Sequence, residues 1–431
     1  MRAPDRIRRE PRGIRWVDYA RRSMQRLGYL KILVAIADSL GSTTLQGLTT
    51  RFEAAVTAKH RVPDHILPRV RDYVTEQNLH HRYPGLHARG REAASSRPPV
   101  MQVQDLYLSD PALPARSGAM TGDQERKGYR HAVYVEMPPW AVQLGLLRRQ
   151  NYTATDRAKA LLELAPTMEA FRAFEPDSNP FMLASDERFF FLFSLIDADG
   201  DLLRVAYRQM TSRFDGFTRT DFGETIASAL EEFLRDRLRR PSTGMEQEVA
   251  RRMRDVLKSV HEQSGSGMGP KESVATPRTE PLVDCGVLYK PVRNKYEYAV
   301  TEGGRAFLRR LIESESVTEF IERGLGKATA ELLGLSPKPA SGTEILAGVA
   351  SAYSRMRSGL GYCSLREAGV LAVAQATKDG LLGYEIADAE AAVVEAARTY
   401  GRRIRLTQTR RGPLAQFRID SKLVDSLTCT S

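Results

Sequence analysis

The chain has 431 residues, more than one hydrophobic core usually holds, so at ~100–200 residues per domain two to four domains are expected. With 42% hydrophobic and 27% charged residues it has enough apolar surface to offset the entropy of ordering, which excludes a disordered chain. The formal charge of +11, from 64 Lys+Arg against 53 Asp+Glu, favours a polyanionic partner, with an arginine-raising GC-rich genome as the competing explanation.

Residues 1–26 carry nine arginines and little apolar periodicity, and read as a basic flexible arm that could follow a DNA backbone. In residues 27–83 the apolar positions Leu30, Ile32, Leu33, Ile36 and Leu40 recur at helical spacing. Further helical patterns lie near 45–56 and 65–74, so this stretch is expected to be a helical domain. Residues 84–128 are rich in Pro, Gly, Ser and Arg and read as a linker. Further breaks at 264–270 and near 336–342 divide the remainder into 129–263, 271–335 and 336–431.

A repeat spans the central break. Gly145, Leu147, Tyr152, Thr155, Asp156, Lys159, Ala160 and Leu162 have counterparts in Gly286, Leu288, Tyr298, Thr301, Glu302, Arg305, Ala306 and Leu308. The intervening loop is longer in the second copy. Each glycine suits the positive φ that closes a helix, and an apolar pair after it starts a strand. Each threonine, followed by an acid, suits the N-cap of the next helix. Tyr296, Tyr298 and Val300 alternate as a half-buried strand would.

This order, helix, Gly-Leu-Leu, hairpin, Tyr-x-x-Thr-x-x-Gly, resembles the C-terminal half of the winged helix-turn-helix domains of prokaryotic regulators. The second copy carries Thr301-Glu302-Gly303-Gly304-Arg305, whereas the first has Arg157 and Ala158 at the glycine positions. The resemblance implies a mainly α protein with short β-hairpin wings (α+β), built of tandem winged-helix-like domains. It makes the helices over 138–144 and 277–285 recognition helices, with Arg278 and Thr279 facing base edges. Pro138, Pro139 and Trp140 offer less polar readout in the first copy. The wings would supply Arg148 and Arg149, and Lys290, Arg293 and Lys295, as phosphate contacts. Winged helices that bind protein instead of DNA are the alternative.

A possible third unit follows. Helices near 344–355, 365–377 and 388–400 lead into strands at 404–408 and 414–419, joined by Thr409-Arg410-Arg411-Gly412-Pro413. Arg402, Arg403, Arg405, Arg410, Arg411 and Arg418 make this the most cationic hairpin in the chain, with an ordinary solvated hairpin as the other reading.

No phosphate-loop motif or nucleophile elbow occurs, no convincing version of the strand-borne acid followed by acid-x-Lys of a nuclease is present, and no cofactor or metal is expected. Asp197-Ala-Asp199-Gly-Asp201 does not have its glycine at the sixth position of a calcium loop, nor the glutamate that closes one, and reads as a surface turn. His60, His65, His80, His81 and His87 have no second ligand cluster and read as polar loop residues. The run Phe189 to Phe193 reads as core, a helical junction that packs one unit on the next. Cys285, Cys363 and Cys429 lie far apart and fit a reducing cytosol. No apolar run nears the ~18 residues of a membrane span, and no signal peptide is visible, so a cytoplasmic protein without a membrane partner is expected.

The leading expectation is a non-enzymatic subunit that holds double-stranded DNA within a prokaryotic multi-protein system such as phage defence, restriction, plasmid replication or transposition, with a protein partner in the complex. The alternatives are a nuclease whose active site the sequence does not reveal, and a scaffold whose winged helices bind protein.

Overall fold

A helix through Phe189-Phe-Phe-Leu-Phe193 has no polar face to turn toward water. The computed structural model accordingly buries it on all sides. The structure describes residues 27–58, 137–164, 183–262 except 237 and 242, 270–291, 298–380, 382–408 and 415–428. The arm, the 84–128 linker and the helix expected over 65–74 lie outside these residues, as do the five histidines from His60 to His87.

Among the described residues the chain is mainly helical, with a few short strands in small sheets. No described helix is long and apolar enough to cross a membrane. In chain order the first elements are α1 (Gly28–Leu40), α2 (Leu45–Ala58), α3 (Met137–Gln143), α4 (Asp156–Leu164) and α5 (Ser185–Gln209). Next come α6 (Arg219–Asp236), α7 (Gly244–Glu262), α8 (Pro270–Asp284), β1 (Leu288–Tyr289), β2 (Ala299–Val300) and α9 (Glu302–Glu313). Then follow α10 (Val317–Arg323), α11 (Leu325–Leu332), β3 (Lys338–Pro339), α12 (Gly342–Met356), β4 (Cys363–Ser364), α13 (Leu365–Asp379) and β5 (Leu382–Gly383). The last are α14 (Ile386–Tyr400), β6 (Ile404–Gln408), β7 (Ala415–Ile419) and α15 (Ser421–Thr428).

α5 is the hub, packed against α4, α6, α9, α10 and α13. The phenylalanine run is core, as expected, on the helix these elements share. The expected surface turn at 197–201 is instead the middle of α5, with Asp197 and Asp199 buried. Its acids are held by cations from all parts of the chain. Lys31 on α1 reaches Glu187 at 2.9 Å, Arg157 on α4 reaches Asp197 at 2.9 Å, and Arg278 on α8 reaches Asp199 at 2.6 Å. From α13, Lys378 reaches Asp186 at 3.5 Å and Arg366 reaches Asp197 at 3.4 Å. Such pairs cost desolvation, and removing one partner strands the other.

The repeat holds down to single hydrogen bonds. Gly145 and Gly286 have φ of 75° and 82°. Leu146 N donates to Ala141 O, and Val287 N to Leu282 O, each at 2.9 Å. Thr155 Oγ1 donates to Gly145 O at 2.7 Å, and Thr301 Oγ1 to Gly286 O at 2.8 Å. The same hydroxyls accept from Ala158 N and Gly304 N, capping α4 and α9. Leu147 pairs with Ala154 as Leu288 pairs with Val300. A methyl on Gly286 would meet Arg188 Nη1 at an ordinary 3.6 Å, so Gly286→Ala should cost only its backbone strain, about 1–2 kcal/mol, read as a lower denaturant midpoint with unchanged slope.

Two expectations change. The described part of 27–83 is not a separate domain, because α1 packs on α3 and α4, and α2 on α3. Nor is the second hairpin strand half-buried, since Tyr298, Ala299 and Val300 are all covered. Tyr298 pairs on its far edge with Phe217 and stacks on that ring at 5.6 Å.

A related order of elements recurs among the described residues: a helix (α1, α5 or α12), a short extended stretch, a second helix (α2, α6 or α13) and, later in the chain, a third (α3, α8 or α14), with α7 standing between α6 and α8. The third helix ends at a positive-φ glycine, Gly145, Gly286 or Gly401, and a hairpin follows. The extended stretch bonds to the hairpin: Thr43 N to Asn151 O at its turn in the first case, and Phe217 to Tyr298 and β4 to β7 on the returning limb in the others. In the last case the sheet order is β4-β7-β6, antiparallel throughout. The hairpin strands expected at 404–408 and 414–419 are β6 and β7.

Glu385 links the third copy to the second. Its carboxylate accepts from Gly326 N and Lys327 N at 2.8 Å each, at the start of α11. Burial outweighs those bonds and raises its pKa to about 7. A raised carboxyl pKa means the folded state binds the extra proton between about pH 4.5 and 7, so stability contributed there is lost as pH rises. Chemical denaturation of Glu385→Gln and the parent at pH 5 and pH 8 should show the parent losing roughly 1–2 kcal/mol relative to the variant, after discounting for partial exposure.

Candidate nucleic-acid interface

The helix expected to read bases is closed off. In α8 every residue from Val274 to Asp284 is buried, and α6 lies so close that a methyl on Gly223 would fall 2.2 Å from Lys271 O. Arg278 is 2% exposed; besides Asp199, its guanidinium donates to Val274 O at 2.9 Å. Thr279 is fully buried and donates back to Ala275 O at 3.1 Å. Neither can face a groove, which corrects their expected role as base readers. α8 also starts earlier than expected, at Pro270, at the end of the segment read as a linker.

Lys290 is corrected in the same way. Its Nζ lies 2.6 Å from Glu280 Oε1, which also accepts from Tyr298 Oη at 2.6 Å and from Arg219 Nη2 at 3.2 Å. Burial, then the neighbouring Glu280 carboxylate, push the Tyr298 phenol well above its ordinary pKa, so it stays a donor. This cluster ties the hairpin to α6 and α8 and leaves Lys290 no charge to spare for phosphate. Arg293 and Lys295 lie outside the described residues.

The expected basic residues of the other hairpins do reach solvent where they are described. Arg148 and Arg149 are exposed at the turn of the first hairpin. Arg402 and Arg403 are exposed before β6, Arg403 standing 3.9 Å from Asp420. Arg410 and Arg411 lie outside the described residues.

In the third hairpin Leu406 and Phe417 are cross-strand partners on the core-facing row, and Arg405 and Arg418 are partners on the exposed one. Like charges directly opposite one another destabilise a sheet. Among the described residues no acid pairs with Arg402, Arg405 or Arg418. The outer face of the preceding α14 is different, exposing Asp388, Ala391, Glu395 and Arg398, the last bonded to Glu395 at 3.2 Å. A polyanion meeting this unit is repelled by the helix and attracted by the hairpin.

Among the described residues no group of three or more His, Cys, Asp or Glu is placed to hold a metal ion. Cys285 and Cys363 are buried free thiols, and burial pushes that of Cys363 up to about 12. No protein-family model, no curated protein and no solved structure matches the chain.

Proposed function

We propose that this chain is a DNA-holding protein made of three winged-helix-like units, which grips duplex through its hairpins and not through its third helices. The exposed cross-strand Arg405–Arg418 pair, which no acid among the described residues meets, carries the reading, because its repulsion is relieved by a phosphate backbone. The recurrence of a helix, an extended stretch, a second helix and a later helix that ends at a glycine before a hairpin supports the winged-helix reading, α7 being an addition in the second copy. Contacts of this kind hold a backbone without reading sequence, which suits a subunit that keeps other proteins on DNA within a multi-protein DNA-handling system.

A second reading follows from the burial of α8: a third helix enclosed by its own chain suits units that assemble with protein. Binding of the purified chain to labelled duplex over a salt series, with and without Mg²⁺, separates these. Intact DNA bound with an affinity that falls steeply with salt supports DNA holding. Cleavage would make the protein a nuclease, and no binding at low salt would leave the scaffold.

A further inference from the structure

Beside the arginine face stands the most exposed large hydrophobic residue among those described, Leu360, at 82%. A single exposed leucine is ordinary on a protein surface. Its mounting here is not that of a loose loop. Ser358 N donates to Tyr362 O at 3.0 Å, Gly361 N donates to Ser358 O at 2.8 Å, and Gly361 turns the chain at φ 74°. Tyr353 Oη, in α12, lies 2.7 Å from Gly361 O and 3.2 Å from Ile419 O, so one hydroxyl fastens both the turn and the end of β7.

That fastening puts Leu360 next to the cations. A methyl on Gly361 would meet Arg418 Nε at 3.3 Å and Cδ at 3.6 Å, so the Arg418 side chain runs along the turn. Arg357, at the other foot of the turn, is exposed. The result is an exposed apolar tip on a hydrogen-bonded turn, with the Arg418 side chain alongside it and Arg405 opposite Arg418 on the exposed face of the hairpin.

We infer that Leu360 is a wedge that enters a base step of duplex DNA held by Arg405 and Arg418, unstacking the step and bending the duplex. This inference rests on the DNA-holding reading. An apolar side chain gains from leaving water between two base planes, and cations beside it hold the phosphates drawn together by the bend. The duplex preferred is therefore one with a step that unstacks readily, such as a mismatch or a pyrimidine–purine step.

The test uses the full-length chain, a short duplex carrying a dye at each end, and a second duplex with 2-aminopurine at a central mismatch. The parent should raise energy transfer between the dyes and brighten 2-aminopurine as it binds. Leu360→Ala, at a position with little packing to lose, should keep the fold and lose most of both signals when compared with the parent at equal duplex occupancy. Bending by Leu360→Ala equal to that by the parent, or binding by the parent with neither signal, overturns the wedge while leaving DNA holding intact. Absence of any duplex binding by the parent overturns both.

Discussion

Arg405→Glu should weaken duplex binding by about tenfold at moderate salt and flatten the dependence of log K on log salt by about 1 or more, because one phosphate contact becomes a repulsion. The same substitution should leave the fold as stable or slightly more so. The introduced carboxylate would face Arg418 directly across the sheet and replace a like-charge pair by an opposite one, worth roughly 0.2–1 kcal/mol. Opposite signs for stability and binding are the diagnostic feature, since a variant that bound poorly through misfolding would lose both. Arg418→Glu should behave alike. Arg278→Glu, by contrast, should unfold the protein, since it sets a carboxylate against the buried Asp199. Gel-shift titration with thermal unfolding of the same samples checks all three, and duplex affinity unchanged in both hairpin variants would remove this face from the interface.

The largest effect on stability is expected at the ionic hub. Glu187→Ala should cost about 3–5 kcal/mol, because Lys31, 4% exposed, would keep its buried position and lose the carboxylate that meets it at 2.9 and 3.0 Å. The loss of the bond from Ala184 N adds to this. Burial already lowers the pKa of Lys31, and without Glu187 it would fall further. A depressed lysine pKa means the unfolded chain binds the proton that the folded one sheds, so the variant should regain stability as pH rises from 7 toward the ordinary lysine value of 10.5. Lys31→Met combined with Glu187→Leu should recover much of the loss, since an apolar pair of similar volume needs no desolvation. Additive costs in the double variant would show that the two side chains act independently.

The parts of this architecture legible in the sequence are those made by neighbours. Gly145 and Thr155 lie ten residues apart, Gly286 and Thr301 fifteen, and each pair forms one hydrogen-bonded helix-end, hairpin and cap. Such bonds depend on turn and cap chemistry that residue type discloses, which is why the repeat is legible from the order of residues alone. The third hairpin is legible for the same reason: apolar residues alternate on both strands, and Leu406 and Phe417 meet on the row facing the core. The arginines opposite them are legible as cationic, though their pairing across the strands is not.

What composition and local pattern determined is therefore the basic charge, the helical character, the capped repeat and the basic hairpin. Tertiary structure alone decided which cations are free. Arg278 looks like a base reader by its place in the helix, but its partner Asp199 stands 79 residues upstream. Asp197 and Asp199 look like turn residues by type, yet Arg366 reaches Asp197 from 169 residues away and makes a buried helix tolerable there. Burial and ion pairing act through space, at a free-energy cost that depends on the partner across the core. No spacing along the chain reports that partner, so the buried arginines of α4 and α8 and the exposed ones of β6 and β7 look alike until the fold separates them.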